Sequence, residues 1–161
     1  MELKRVVVTG IGAVSPLGNS AAETWQKLLD GVSGAAPITH FDATEFKTQF
    51  ACELKGFKAE DFIDRKEARK MDPYCHYAMA AASMAMDDSA IDLESIDKNR
   101  VGVVFGVGIG GMKTFEDEIT NYALHKDTLG PKFNPFFVPK MIADICAGQI
   151  SIKYGFHGPN Y

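Results

Sequence analysis

Two stretches, Lys4–Thr9 (KRVVVT) and Val101–Phe105 (VGVVF), are apolar and β-branched without strict alternation, and each runs into a glycine-rich turn. A strand that is apolar on both faces must be covered on both, the condition met inside a parallel sheet between helical layers. A helical pattern follows each turn. Strand, turn and helix therefore recur in that order, which predicts an α/β fold with a parallel sheet.

The helices have readable ends. Ser20 and Glu23 form a capping box for a helix over 20–30 that Gly31 stops, with Trp25, Leu28 and Leu29 as its inner stripe. Residues 32–62 show no strong period. The phenylalanines at 41, 46, 50, 57 and 62 predict an excursion with a small core of its own. Asp64–Met71 is a short basic helical turn capped by Asp64 and Glu67. Asp72-Pro73 restarts the helix, with Asp as N-cap and Pro in the first turn. The Ala- and Met-rich run Tyr74–Met86 predicts a central helix packed closely between layers, because small side chains permit near approach and Met fills gaps. Asp87–Asn99 is a polar connection, Met112–Leu124 a helix with Phe115, Ile119 and Tyr122 on one face, and His125–Pro131 a loop. A last helix is expected from Pro139 to Tyr154, stopped by Gly155 and apolar almost all round, with Gly148 marking a close backbone neighbour. Such a helix needs partners on both sides. The expectation is that much of one partner, and the chemistry with it, lies outside these residues.

Length and composition narrow the function. The 161 residues suffice for one domain with a real core, and 46% hydrophobic with 24% charged residues excludes a disordered chain or a fibre. A net charge of −4 offers no general attraction for nucleic acid. No apolar run has the roughly 18 residues of a membrane span, and the apolar run after Lys4-Arg5 is too short for a signal peptide. The protein is expected in the cytoplasm. Cys52, Cys75 and Cys146 are odd in number and widely spaced, as reduced thiols are.

The candidate motifs are weighed against structural readings. Gly106–Gly111 matches G-x-G-x-x-G between a strand and a helix, and Asp127 stands near the spacing of a ribose-binding acid. That acid should end a second strand, however, and here it sits in a polar stretch. Gly10-x-Gly12-x-x-Ser15 is a weaker match, broken by Pro16. Both are read as tight turns in close packing. His40, His76, His125 and His157 show no metal-ligand spacing with the cysteines. Cys146 lies mid-helix on an apolar face, where burial raises a thiol's pKa, and is assigned to the core. Neither Ser33 nor Ser83 sits in a nucleophile elbow. Arg65, Lys66, Arg69 and Lys70 gather on one helical face, which is either a solvated surface or a docking site for an acidic partner.

RVVVTGIGAVSPLGN (Arg5–Asn19), PITHFDA (Pro37–Ala43), RKEARKMD (Arg65–Asp72), GVGIGGM (Gly106–Met112), NPFFVPKMI (Asn134–Ile142) and YGFHGPN (Tyr154–Asn160) occur in an order that resembles the start of an elongating β-ketoacyl-[acyl-carrier-protein] synthase. The resemblance runs along the whole chain. It implies the thiolase-like fold, two α/β halves stacked as α-β-α-β-α, usually as a homodimer, with residues 1–161 forming most of the N-terminal half. It further implies a decarboxylative Claisen condensation between acyl- and malonyl-carrier protein, with no metal or organic cofactor. The nucleophilic cysteine and two catalytic histidines are expected beyond Tyr161, so no catalytic residue is assigned within the chain, and the chain alone is expected to be inactive. By position, Ile109 matches a gate residue of the acyl pocket, and Phe137 and Val138 match a segment closing the neighbouring subunit's pocket. Lys66, Arg69 and Lys70 match the face that meets acyl carrier protein. The alternatives are a non-catalytic relative of the chain-length-factor kind and a dinucleotide-dependent oxidoreductase built on Gly106–Gly111.

Overall fold

The computed structural model describes residues 3–130 and 132–161. It comprises α1 (Ala21–Leu29), β1 (Ala36–Pro37), β2 (Phe50–Ala51), α2 (Arg65–Ala68), α3 (Pro73–Ser89), α4 (Met112–Leu129), α5 (Phe137–Met141) and α6 (Ile145–Tyr154). Two compact units divide the chain. The first runs to Lys58 and takes in Ala80–Ile91; the second holds Ala59–Met79 and Asp92–Tyr161.

In the first unit, α1 begins as the capping box requires. Ser20 Oγ accepts from the Glu23 N–H at 3.1 Å. The Glu23 carboxylate reaches back one residue further than usual, to the Asn19 N–H at 3.0 Å, and also pairs with Lys27 at 2.7 Å. Those bonds hold the Glu23 carboxyl below the ordinary glutamate range. Gly31 ends the helix at φ +66°. Trp25, Leu28 and Leu29 are each more than half exposed, so the inner stripe expected of them has no cover among the described residues. The 32–62 excursion is likewise thinner than expected. Phe41 meets Phe46 edge to face at 5.5 Å and Ala43 between them in sequence is buried, yet both Phe residues are mostly exposed. β1 and β2 pair antiparallel, Ala36 opposite Ala51.

The Gly10–Gly12 turn lies on the Ala80–Ser89 part of α3. A Cβ on Gly10 would overlap the Ala85 carbonyl oxygen, and one on Gly12 the Ala81 carbonyl oxygen. Asp88 accepts from the Ile11 N–H at 2.8 Å. Glycine is needed here because helix backbone occupies the side-chain position.

The expected strand at Lys4–Thr9 is not formed among the described residues. Val6, Val7 and Val8 are 89, 65 and 80% exposed. A parallel strand is buried only where strands pair with its edges and helices cover its faces, and the described residues supply neither. The second expected strand, Val101–Phe105, is half formed. Val103 and Phe105 donate to the carbonyls of Pro159 and Tyr161 at 2.8 Å, and Tyr161 donates back to Val103 at 3.0 Å. This parallel bridge places α4, α5 and α6 in the crossover between paired segments.

In the second unit, the Pro73–Met79 part of α3 is part of the core, with Cys75, Ala78 and Met79 at 0, 1 and 4% exposure, as are Cys146, Ala147 and Ile150 of α6. Asp72 caps it, accepting from the Tyr74 N–H at 3.3 Å. The same carboxylate accepts from the Thr114 N–H at 2.8 Å and its hydroxyl at 2.6 Å, tying the first turn of α4 to the start of α3. α4 runs five residues past the expected Leu124, to Leu129, so His125–Leu129 is helix and not loop; Pro131, the last residue of that expected loop, lies outside the described residues.

The single helix expected over Pro139–Tyr154 is two, α5 and α6, broken at 142–144. In a continuous helix the Met141 and Ile142 carbonyls would accept from N–H groups four residues on. Instead Met141 accepts from Gly111 N–H at 3.0 Å, and Ile142 accepts from the Tyr74 hydroxyl at 2.5 Å and, three residues on, from the Ile145 N–H at 3.4 Å, with Ile142 itself extended at ψ 130°. Gly155 does stop α6, at φ +70°. Gly148 meets only the end of Ile145 at 4.0 Å, so no backbone of the described residues crowds it.

These packings predict opposite outcomes for two neighbouring glycines. In Gly111→Ala the new Cβ strikes the Lys140 carbonyl oxygen, whereas Gly108 faces open space. Gly111→Ala should cost about 2 kcal/mol in urea denaturation, the usual size of overpacking, and Gly108→Ala should stay within about 0.5 kcal/mol. Equal effects would contradict the packing role.

Candidate functional site

The site is built where the Gly106–Gly111 turn meets the α5–α6 break. Gly110 takes φ +93°, and a Cβ there would lie 2.5 Å from the Met141 carbonyl oxygen. Close approach of the two backbones opens an apolar cavity of about 350 Å³ walled by Ile109, Met112, Phe115 and Ile142. Ile109 stands at its edge, 72% exposed. Phe115, a wall residue, stacks on Phe137 at 6.3 Å, and Phe137 on Phe133 at 5.6 Å, which stacks in turn on Tyr122 at 5.1 Å. Of the three residues, Ile109 lines the cavity, Phe137 lies behind it in the ring stack on Phe115, and Val138 is 53% exposed; neither Phe137 nor Val138 is in the lining.

Tyr74, outside the lining, bonds the backbone of the lining residue Ile142. Its hydroxyl bond to Ile142 fixes the break, and burial raises its pKa well above the ordinary tyrosine value, so the hydroxyl remains a donor at neutral pH.

The basic residues occupy α2 and the residues after it. The Asp64 carboxylate caps the helix by accepting from the Lys66 N–H at 2.8 Å. Lys66, Arg69 and Lys70 are all exposed, and Lys70 pairs with Glu67 at 2.7 Å. Glu67 therefore serves as an ion-pair partner and not as the second cap expected of it. Arg65 and Arg69, one helical step away, border a separate cleft that also holds Lys140 of α5, a residue that sequence reasoning passed over. Nothing in the local pattern announces its place there, since it is about 70 residues from Arg69 in sequence.

Chain comparison supplies the remaining context. Residues 3–161 match the family described as "Beta-ketoacyl synthase, N-terminal domain". The chain belongs to that family. It is 44% identical over 161 residues to a 3-oxoacyl-[acyl-carrier-protein] synthase 2 of Synechocystis, covering 99% of this chain and 38% of the relative. The ishigamide ketosynthase/chain length factor superposes with a TM-score of 0.89 at 25% identity, over 99% of this chain and 40% of that one. A type II polyketide synthase ketosynthase solved in complex with its acyl-carrier protein, AntDE:AntF, gives 0.77 at 29% identity over 96% and 40%. The fold is accordingly the α/β ketosynthase fold, and the chain spans about two-fifths of the length of these relatives.

Within this β-ketoacyl synthase chain, both glycine turns are occupied by protein backbone. The Gly111 N–H, which a phosphate-binding turn would offer to a ligand, already bonds Met141. Asp127 lies inside α4 and not at the end of a strand. Among the described residues, no three His, Cys, Asp or Glu side chains group as metal ligands do.

The thiols divide sharply. Cys146, on α6, is fully buried with its Sγ 3.7 Å from the Ala143 carbonyl, and burial pushes its pKa up. Cys75 is also fully buried, and burial with the nearby Cys146 and Asp72 pushes its pKa up to about 12. A thiol reacts as its thiolate, so neither is reactive at neutral pH. Cys52 is exposed. Alkylation of the native protein with iodoacetamide at pH 8 should therefore modify Cys52 and reach Cys75 and Cys146 only in denaturant. Rapid native labelling of Cys146 would contradict its assignment to the core.

Proposed function

We propose that this chain forms the N-terminal, substrate-positioning part of a 3-oxoacyl-[acyl-carrier-protein] synthase. The observation that carries the reading is the 44% identity over 99% of the chain to a relative of that name. In the proposed reaction a cysteine thiolate attacks an acyl thioester, forming an acyl-enzyme and releasing the carrier thiol. Malonyl-carrier protein loses carbon dioxide, and the resulting carbanion attacks the acyl-enzyme carbonyl and expels the cysteine, giving the 3-oxoacyl product. The nucleophile and its histidines are supplied by residues outside 1–161, because the cysteines within it are buried with raised pKa values or lie on the open surface.

Ile109 is proposed to gate the acyl chain. What supports this is its place at the mouth of an apolar cavity whose wall continues into Phe137. Phe137 and Val138 are proposed to close the pocket of a second subunit in a homodimer. The exposed apolar surface at Phe133, Phe136 and Val138 favours such an association. Lys66, Arg69 and Lys70 are proposed to dock acyl carrier protein through an exposed basic face. The protein is proposed to work in the cytoplasm without metal or organic cofactor; no helix among the described residues is long and apolar enough to cross a membrane. A second reading, a non-catalytic chain-length-factor partner, draws only weak support from the likeness to a ketosynthase/chain length factor, a title that also covers a ketosynthase, and differs in forming no acyl-enzyme.

Reversing charge with Lys66→Glu and Arg69→Glu should lower kcat/KM for acyl-carrier protein by about tenfold, or 1.4 kcal/mol. Unchanged turnover removes the docking role. Ile109→Phe narrows the cavity mouth and should slow long acyl chains by about fivefold more than short ones, a difference of ~1 kcal/mol. Equal slowing of both contradicts the gate.

A further inference from the structure

The cleft bordered by α2 and α5 is not explained by carrier docking. It measures about 340 Å³. Arg65, Arg69 and Lys140 line it, with Glu60 as the opposing carboxylate and Ala68 and His76 in its wall. The α2 segment brings Arg65 and Arg69 onto the cleft because they are four residues apart, a spacing that places side chains one above the other. Lys140 arrives from the end of α5, which the Met141–Gly111 bond holds in place. None of the three cationic side chains makes an ion pair or a side-chain hydrogen bond among the described residues, while neighbouring Lys70 is paired with Glu67. His76 is held against the wall by its ring nitrogen, 2.8 Å from the Ala68 carbonyl; the carbonyl can only accept, so this nitrogen carries the proton.

Three unneutralised cations facing one carboxylate leave an excess of positive charge that a dianion matches. Two guanidinium forks present paired N–H donors suited to the oxygens of a tetrahedral anion, and Lys140 adds a point charge. We infer that this cleft binds a phosphate monoester through Arg65, Arg69 and Lys140. It shares Arg69 with the proposed carrier face but rests on the cleft alone.

Titration calorimetry of the full-length protein with methyl phosphate, at matched ionic strength in chloride, tests the inference. Saturable binding is expected. Arg69→Gln combined with Lys140→Gln should weaken it about tenfold or more, the loss expected when charge-assisted bonds are removed. Lys66→Gln combined with Lys70→Gln, on the adjoining face, should leave it within about twofold. Should the double cleft variant fail to fold, Lys140→Met alone must still weaken binding. Heats no larger than dilution into chloride, or equal weakening by both pairs, overturn the proposal. Binding of dimethyl phosphate as tight as methyl phosphate overturns the monoester assignment, since a diester carries one charge and bridges two groups. No carrier protein is present, so failure of the docking role leaves this result standing, and the reverse.

Discussion

The second unit depends on one buried carboxylate. Asp72 is 3% exposed, and carboxylates are seldom buried so deeply without partners. Here one oxygen caps α3 through Tyr74 and the other takes both donors of Thr114. The starts of α3 and α4 are thereby fixed together. From α3, Tyr74 reaches the Ile142 carbonyl; from the turn before α4, Gly111 reaches the Met141 carbonyl. Those two bonds engage the Met141 and Ile142 carbonyls from distant donors, the Ile142 carbonyl keeping only a three-residue bond to the Ile145 N–H, and the helix breaks there. The break contributes Met141, Ile142 and Ala143 to the apolar cavity beside Ile109, while Lys140, in the last turn of α5 before it, lines the cleft with Arg65 and Arg69. A buried acid and two diverted carbonyls thus place both the proposed acyl site and the anion cleft.

Much of this was legible before the structure, where the signal is local. Ser20, Asp64 and Asp72 cap helices as their side chains dictate, and Gly31 and Gly155 end them in left-handed conformations that suit glycine. Gly10, Gly12 and Gly111 are turns pressed against backbone, as a structural reading of their motifs requires. The departures share a different cause. Strand burial at Val6–Val8 and the inner stripe at Trp25, Leu28 and Leu29 are properties of neighbours, and apolar patterning states a need for cover without supplying it. The α5–α6 break was invisible because Met141 and Ile142 are ordinary helix residues whose carbonyls are claimed from 30 and 68 positions away.

The candidate site divides in the same way. Ile109, Phe137 and Val138 were marked by motif, and the structure puts Ile109 in the cavity lining, Phe137 one ring behind the lining residue Phe115, and Val138 outside the lining. Lys66, Arg69 and Lys70 were visible as helical spacing. Lys140 was not, since it is distant in sequence and sits in a mostly apolar stretch. Burial makes Cys75 and Cys146 packing groups, so these 161 residues hold shape, a pocket and charge while the covalent step is assigned elsewhere.

The most direct test of the condensing-enzyme account is mass spectrometry of the protein, expressed from its whole reading frame, after incubation with acyl-carrier protein and then malonyl-carrier protein. The account predicts an acyl group on a cysteine other than Cys52, Cys75 or Cys146, followed by its loss as carbon dioxide and 3-oxoacyl-carrier protein appear together. An acyl group on one of those three cysteines, or no acyl-enzyme and no carbon dioxide, would contradict it.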